Sequence, residues 1–302
     1  MRILITGTSG QVGGALRRLL PAGGTDELIC PPRAAFDLTQ PASLAGALDR
    51  LAPDLILNPA AYTAVDRAED EAELAMTVNG QAPGVIAQWA APRRVPLLHV
   101  STDYVFDGAG EHPWRESDAV GPLSAYGRSK LAGEDAVRSA GGPHLIVRTA
   151  WVFASAGANF MRTIVRLARE REALRVVADQ KGTPTSARTI AEVIAAILAQ
   201  GAGDLPGAFA RAEGLVHLTN SGATSWHGFA SAIVDGLRQR NVPVKARAVE
   251  AITTADFPTK ARRPANSQLD LSRLRGAYGL VPPSWQQALS RELDELVAAE
   301  QR

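Results

Sequence analysis

The residues with the clearest chemical potential are Tyr126 and Lys130, at the ends of the run Tyr126-Gly127-Arg128-Ser129-Lys130. On a helix that spacing sets both side chains on one face, a turn apart. A phenol with a pKa near ~10 is a poor acid–base group at neutral pH, and a neighbouring ammonium stabilises the phenolate and lowers that value. Ser101-Thr102-Asp103 follows directly on the apolar run 97–100. Thr102 therefore sits at a carboxyl end of a sheet, where open α/β sheets bind ligands. The third feature is Gly7-Thr8-Ser9-Gly10-Gln11-Val12-Gly13, placed between an apolar run and a segment of helical period. A backbone that turns there and admits a diphosphate needs no Cβ in the way, and the helix N-terminus then supplies free N–H donors and a positive dipole. The spacing is one residue longer than the commoner dinucleotide fingerprint, and by itself it also reads as a plain strand-to-helix turn. Glycine turn, strand-end hydroxyl, tyrosine and lysine in that order are far more specific together than singly.

Short Leu- or Ile-rich runs at 3–6, 28–30, 55–57, 97–100 and 145–147 read as buried parallel strands. Between them, segments near 11–20, 41–51, 68–91 and 124–138 have helical character; in the second, Ser43, Leu44, Ala47, Leu48 and Leu51 form a stripe. The alternation predicts an α/β fold, a Rossmann-like doubly wound parallel sheet with a smaller C-terminal substrate-binding lobe. Residues 1–154 are expected to form the NADP(H)-binding domain, joined by a helix and strand from about 174–200, with 155–302 mainly the second, interleaved lobe. In that later part helices are predicted near 159–171, 187–199, 226–239 and 285–299, and strands at 174–177, 215–219 and 246–252; residues 201–207 read as a single loop.

Past the second strand, an acid would bind an adenosine ribose hydroxyl and an arginine would favour a 2′-phosphate. The chain there reads Pro31-Pro32-Arg33, without an acid. Arg33 therefore favours NADP(H) over NAD(H), NADH remaining possible, and its alternative is an ordinary solvated residue. Asp37, in Phe36-Asp37-Leu38, is better placed to meet the adenine edge.

The chain of 302 residues carries 32 Lys+Arg against 31 Asp+Glu, a formal charge of +1. That near balance argues against a broad electrostatic footprint for nucleic acid or an anionic membrane. One cysteine, Cys30, excludes an internal disulfide framework and a zinc site of several thiolates, and it suits a reducing compartment. The first residues lack the apolar core of a signal peptide, and no run approaches the roughly 20 apolar residues that span a bilayer. The expected location is the cytoplasm.

Other features have plainer readings. The five histidines, His99, His112, His144, His217 and His227, show no metal-ligand spacing. Asp66, Glu69, Asp70, Glu71 and Glu73 read as a solvated helix face, and Trp226, Phe229, Ile233 and Leu237 as core. Asn79, beside Gly80 and before Pro83, reads as a local kink rather than a catalytic group. Arg262 and Arg263 read either as diphosphate ligands or as a surface ion pair.

The chain resembles the extended short-chain dehydrogenase/reductases and, more closely, their dTDP-4-dehydrorhamnose reductase branch. The matching pieces are residues 7–13, 58–66 (NPAAYTAVD), 101–108 (STDYVFDG), 126–130, 148–152 (RTAWV), 179–185 (DQKGTPT) and 261–267 (ARRPANS), spread over nearly the whole chain. The glycines with Tyr126 and Lys130 mark the superfamily; the 101–108 and 261–267 blocks point to the branch. The resemblance implies hydride transfer from NADPH or NADH to the C4 ketone of dTDP-4-dehydro-L-rhamnose. Tyr126 would be the proton donor, Lys130 would hold the nicotinamide ribose and depress the tyrosine pKa, and Thr102 would complete the hydrogen bonding at the oxygen. Asp103 and Trp151 are implied as sugar-side contacts, and Ala60, Ala61, Tyr62, Thr63 and Val100 as cofactor-lining residues.

Some relatives dimerise through magnesium held by glutamates, but the matching positions here include Ala15 and Arg188, with only Glu295 kept. A methyl and a guanidinium cannot ligate a hard cation. The expectation is a monomer, or a homodimer without a bridging Mg2+. Two readings stay open beside the reductase: a nucleotide-sugar epimerase or dehydratase that recycles its hydride, and a non-catalytic binding protein like the regulatory subunit of methionine adenosyltransferase.

Overall fold

The computed structural model describes residues 1–20 and 26–301. Its first half alternates strand and helix: β1 (Arg2–Ile5), α1 (Gln11–Leu19), β2 (Glu27–Ile29), α2 (Pro41–Leu51), β3 (Leu55–Asn58), α3 (Ala72–Met76), α4 (Ala82–Ala90), β4 (Leu97–Thr102), α5 (Ala125–Ser139) and β5 (His144–Thr149). The later chain adds β6 (Val152–Phe153), α6 (Phe160–Glu170), β7 (Ala173–Val177), β8 (Lys181–Gly182), β9 (Thr185–Ser186), α7 (Ala187–Gln200), α8 (Leu205–Ala210) and β10 (Leu215–His217). It closes with β11 (Thr224–Ser225), α9 (Trp226–Gln239), β12 (Ala248–Ile252), β13 (Asn266–Ser267), α10 (Ser272–Tyr278) and α11 (Trp285–Glu300).

The main sheet has the order β10-β5-β4-β3-β1-β2, with every pair parallel. β3 and β4 are buried along their whole length, as strands covered on both faces must be. One face packs Ile3, Ile5, Leu57, Leu98 and Val147 against Leu16 of α1 and Ile190 and Ile194 of α7. The other packs Leu4, Ile56, Leu97 and Ile146 against Leu44 and Leu48 of α2 and Ile86 of α4. Because β1 lies between β2 and β3, the chain's direction across the sheet reverses there, leaving a crevice at the strands' carboxyl ends.

The second lobe has its own core, in which Met161, Ile164, Phe229, Ile233, Leu289 and Leu293 join α6, α9 and α11 beneath the parallel pair β7 and β12. The strand expected near 174–177 to extend the first sheet pairs here instead, register Leu174 to Val249. The sixth strand of the main sheet is 215–217, while the helix expected beside that strand, α7, does lie on the main sheet. Two helices were not anticipated: α8, capped by Asp204 at the end of the glycine-rich loop, and α10.

The segment expected as one helix over 68–91 is broken. A turn of 3-10 helix at Arg67–Glu69 precedes α3, and a π-helical turn at Thr77–Gln81 joins α3 to α4. The kink expected around Asn79 is this π turn, and its buried amide is used: Asn79 Oδ1 accepts from the Tyr62 N–H at 2.8 Å, and Nδ2 donates to the Tyr62 carbonyl at 3.0 Å and to Ser129 Oγ at 3.0 Å. No helix among the described residues is long and apolar enough to cross a membrane.

Candidate active site

The glycine turn sits at the crevice. Gly7 adopts φ +59°, and a Cβ there would lie 2.9 Å from that of Ala60, just beyond β3. A Cβ on Gly13 would lie 2.3 Å from the Gly7 carbonyl oxygen, so α1 begins pressed against the turn. No side chain caps α1 at Gly10, leaving its first N–H groups without a side-chain acceptor, and the buried Oε1 of Gln11 has no hydrogen-bond partner. An uncapped N-terminus at a turn that its glycines let close tightly on β3 and α1 suits a diphosphate. Beyond β2, Arg33 Nε lies 3.5 Å from Asp37 Oδ1, so the two residues expected to serve different parts of an adenosine are partners; Leu38 is buried with Phe36 against α2. Val12 packs on the core face below the turn.

Tyr126 and Lys130 are carried by α5, whose start is fixed twice. Ser124 Oγ accepts from the Gly127 N–H at 3.1 Å, and Glu69 Oε1 accepts from the Ala125 N–H at 2.8 Å. Thr102 ends β4, where its hydroxyl donates to Asp103 Oδ1 at 3.0 Å and also acts as a hydrogen-bond partner of the Tyr126 phenol. The Tyr104 ring meets the Tyr126 ring edge to face at 5.4 Å. Burial holds the Tyr126 phenol well above its ordinary range, and Asp103 and Tyr104 add to the rise while Thr102 opposes it. Burial likewise pushes Asp103 up to about 6, against hydrogen bonds from Ser267 and Thr102, and its Oδ2 has no partner.

Lys130 Nζ is held inside the sheet. It donates to the Val100 carbonyl at 2.7 Å and lies 3.4 Å from His99 Nε2, and burial pushes the ammonium down to about 8. The shared face of α5 was legible from spacing, whereas the direction of a four-carbon side chain depends on which acceptors β4 offers.

The acidic stretch is solvated at Asp70 and Glu73, as expected, and it also forms a bracket. Tyr62 donates its hydroxyl to Glu71 Oε2 at 2.5 Å, Glu69 caps α5, and Asp66 and Asp70 reach the second lobe. Arg263 Nη2 donates to Asp66 Oδ2 at 2.7 Å, Nη1 donates to the Tyr104 hydroxyl at 3.4 Å, and Lys260 pairs with Asp70. Arg263 is therefore the ion-pair member of the two arginines, and Arg262 is exposed. Ala61 and Thr63 flank Tyr62 in the loop that follows β3.

On the second-lobe side, Trp151 has φ +48° and stacks on Trp226 at 3.5 Å between centroids. Its other neighbour is Gly182, where a Cβ would come within 2.5 Å of the indole. Trp226, expected as core, is the half-buried wall behind Trp151, held by its own N–H donated to Gln180 Oε1 at 3.2 Å. His99, Asn79, Glu71 and Ser267 were missed as partners of the site, because each acts across sequence distances that periodicity does not report.

Among the described residues no group of three His, Cys, Asp or Glu is arranged to hold a metal. Arg188 pairs with Glu295 and stands 3.7 Å from Glu292, and Ala15 is buried against the core.

The RmlD substrate binding domain family model matches residues 1–298. The chain belongs to this family. The RmlD assignment agrees with full-length relatives: a dTDP-4-dehydrorhamnose reductase of Burkholderia thailandensis is 45% identical over 303 residues, covering 99% of this chain and 100% of the relative. Among solved RmlD-like structures, a dTDP-4-dehydrorhamnose reductase from Clostridium acetobutylicum has a TM-score of 0.88 at 34% identity, covering 98% of this chain and 100% of that one. The Bacillus anthracis dTDP-4-dehydrorhamnose reductase, solved in complex with NADP, has a TM-score of 0.87 at 32% identity, covering 97% and 99%. The fold of the RmlD chain is thus the Rossmann-like α/β architecture expected from its strand and helix alternation.

Proposed function

We propose that this chain is an NADPH-dependent oxidoreductase that reduces the C4 ketone of dTDP-4-dehydro-L-rhamnose to dTDP-L-rhamnose. The observation that carries the reading is the buried Tyr126 phenol, partnered by the Thr102 hydroxyl at the end of β4, in a chain that matches reductases of that name over its full length. The curated relatives' activity and the NADP held by the Bacillus anthracis protein support the substrate and the cofactor.

In this reading NADPH, when bound, supplies the hydride. Gly7, Gly10, Gln11, Val12 and Gly13 would hold its diphosphate, Arg33 would take the 2′-phosphate, and Asp37 and Leu38 would be on the adenine side. Ala60, Ala61, Tyr62, Thr63 and Val100 would line the cofactor's crevice, and Lys130, which sits on the Val100 carbonyl in this structure, would hold a ribose hydroxyl. Tyr126 donates its proton to the oxygen that becomes an alcohol, with Thr102 as a second hydrogen-bond partner at that oxygen. Burial keeps the phenol in its donor form at neutral pH but weakens it as an acid, so the developing charge on the substrate oxygen must draw the proton across. Asp103 and Trp151 contact the sugar; the indole is held rigid by Trp226 and Gly182, so it presents a fixed apolar face.

The near-neutral charge and single cysteine support a cytoplasmic enzyme without a nucleic-acid or membrane partner. Arg188 on Glu295 supports a monomer, or a homodimer held without a bridging Mg2+.

The test is incubation with enzymatically prepared dTDP-4-dehydro-L-rhamnose and each nicotinamide, with identification of the sugar formed. Stoichiometric NADPH oxidation and dTDP-L-rhamnose are expected. Turnover without net cofactor oxidation would point to an epimerase or dehydratase, and cofactor binding without turnover to a binding protein.

A further inference from the structure

We propose that His99 is a positioning residue for Lys130, reached through a buried hydrogen-bond chain that joins the lysine to the base of the glycine turn. The proposal rests on the reading above only in giving Lys130 a ligand to hold.

Lys130 Nζ has two partners inside the sheet, the Val100 carbonyl at 2.7 Å and His99 Nε2 at 3.4 Å. His99 is fully buried; its Nδ1 is 3.1 Å from Asn58 Nδ2 on the neighbouring strand β3, and Asn58 Oδ1 accepts from Thr6 Oγ1 at 2.7 Å. Thr6 Oγ1 in turn accepts from the Ala60 N–H at 3.2 Å, where the Gly7 turn makes its close approach. The backbone register pairs Asn58 with His99, so the chain crosses three adjacent strands from α5 to the crevice. On α5, Gly133 lets the Asn79 carbonyl approach: a Cβ there would sit 2.1 Å from that oxygen, and at 3.5 Å from His99 Nε2 it would only touch the ring.

A neutral imidazole has one donor and one acceptor nitrogen, and its neighbours decide which is which. With the Asn58 amide nitrogen facing Nδ1, that nitrogen accepts, and Nε2–H points at an uncharged Lys130 amine. With the amide turned by half a rotation, Nδ1–H donates to Asn58 and Nε2 accepts from an ammonium. His99 can therefore partner Lys130 in either protonation state, while Val100 anchors it in both. Among the described residues, Glu134, one turn on along α5, acts on Lys130, and Lys130 and Asn58 act on His99. Burial and the lysine together keep His99 well below its ordinary range, hence neutral.

The experiment compares wild type, His99→Leu, His99→Gln and Lys130→Met. Ring nitrogen-15 spectra, with the His99 signals assigned by their loss in His99→Gln, should shift on Lys130→Met because Nε2 loses its partner. Signals indifferent to Lys130→Met would overturn the proposal whatever substrate the enzyme takes. In turnover, His99→Leu should lower kcat roughly 10- to 100-fold and displace the pH at which kcat changes, with the sugar-nucleotide KM within about twofold. His99→Gln, which restores a neutral hydrogen-bonding group, should recover part of the loss. A folded His99→Leu protein with wild-type kcat and pH profile would also overturn it. If wild type oxidises no NADPH with the sugar, the reductase reading fails and the spectra still decide the positioning role.

Discussion

Lys130 lies one turn from Tyr126 on α5, yet its Nζ donates to the carbonyl of Val100 at 2.7 Å. The two side chains share a face without sharing a proton, and burial leaves the phenol protonated well past neutral pH. Tyr126→Phe should therefore keep NADPH affinity near wild type and lower turnover by about 10²–10⁴-fold, the weight of a positioned acid. Loss of cofactor binding in that variant, measured by fluorescence titration, would give the phenol a structural role instead. Reduction by the wild type should show no alkaline fall attributable to Tyr126 below about pH 9, since the donor form stays populated there.

Arg33 is largely solvent-exposed and only loosely paired with Asp37, so it is free to turn toward a phosphate. Arg33→Ala should weaken NADPH binding roughly 10-fold and leave NADH within about twofold, the weight of a charge-assisted contact. Equal changes for both nucleotides in calorimetry would assign Arg33 no part in choosing the cofactor.

The contacts of Asp66 and Asp70 with Arg263, Ala261 and Lys260 tie the second lobe to the segment that caps α5. Exposed ion pairs contribute little stability, about 0–1 kcal/mol. Asp66→Ala should accordingly leave the melting temperature almost unchanged while raising the sugar-nucleotide KM several-fold at near-constant kcat. Should KM stay put and the melting temperature fall sharply, the bracket is part of the fold's stability rather than of the cleft.

Glu134 accepts from Arg148 Nε at 2.9 Å and Nη2 at 2.7 Å, both side chains being buried, and Arg138 joins from the helix surface. Removing one partner strands a charge in the core. Glu134→Ala is expected to destabilise the protein by roughly 3–5 kcal/mol in urea unfolding. A loss under about 1 kcal/mol would mean that water reaches Arg148.

Asp103 is raised to about 6 from an ordinary 3.8, chiefly by burial. A carboxyl that holds its proton more tightly when folded adds stability at low pH, and that contribution is lost as pH rises from about 4 through about 6. Asp103→Asn, which keeps the shape without the charge, should gain on wild type across that window, by on the order of 2–3 kcal/mol. Parallel stability curves for the two proteins would show that the carboxyl is solvated.

Much of the architecture was legible because it is written at short range. Glycines three apart between an apolar run and a helical one announce a close turn, and the Tyr126 to Lys130 spacing places both on one side of α5 wherever that helix packs. The first five strands were legible in the same way, as continuous apolar runs. What periodicity could not supply was the partner of each polar side chain. Lys130 meets His99 across 31 positions, Asn79 reaches Ser129 across 50, and Arg263 finds Asp66 across 197. A buried donor or acceptor must be satisfied by whatever group the packed elements bring to it, so the direction of Lys130, the bracket at residues 66–71 and the membership of residues 215–217 in the main sheet were decided only when the chain closed on itself.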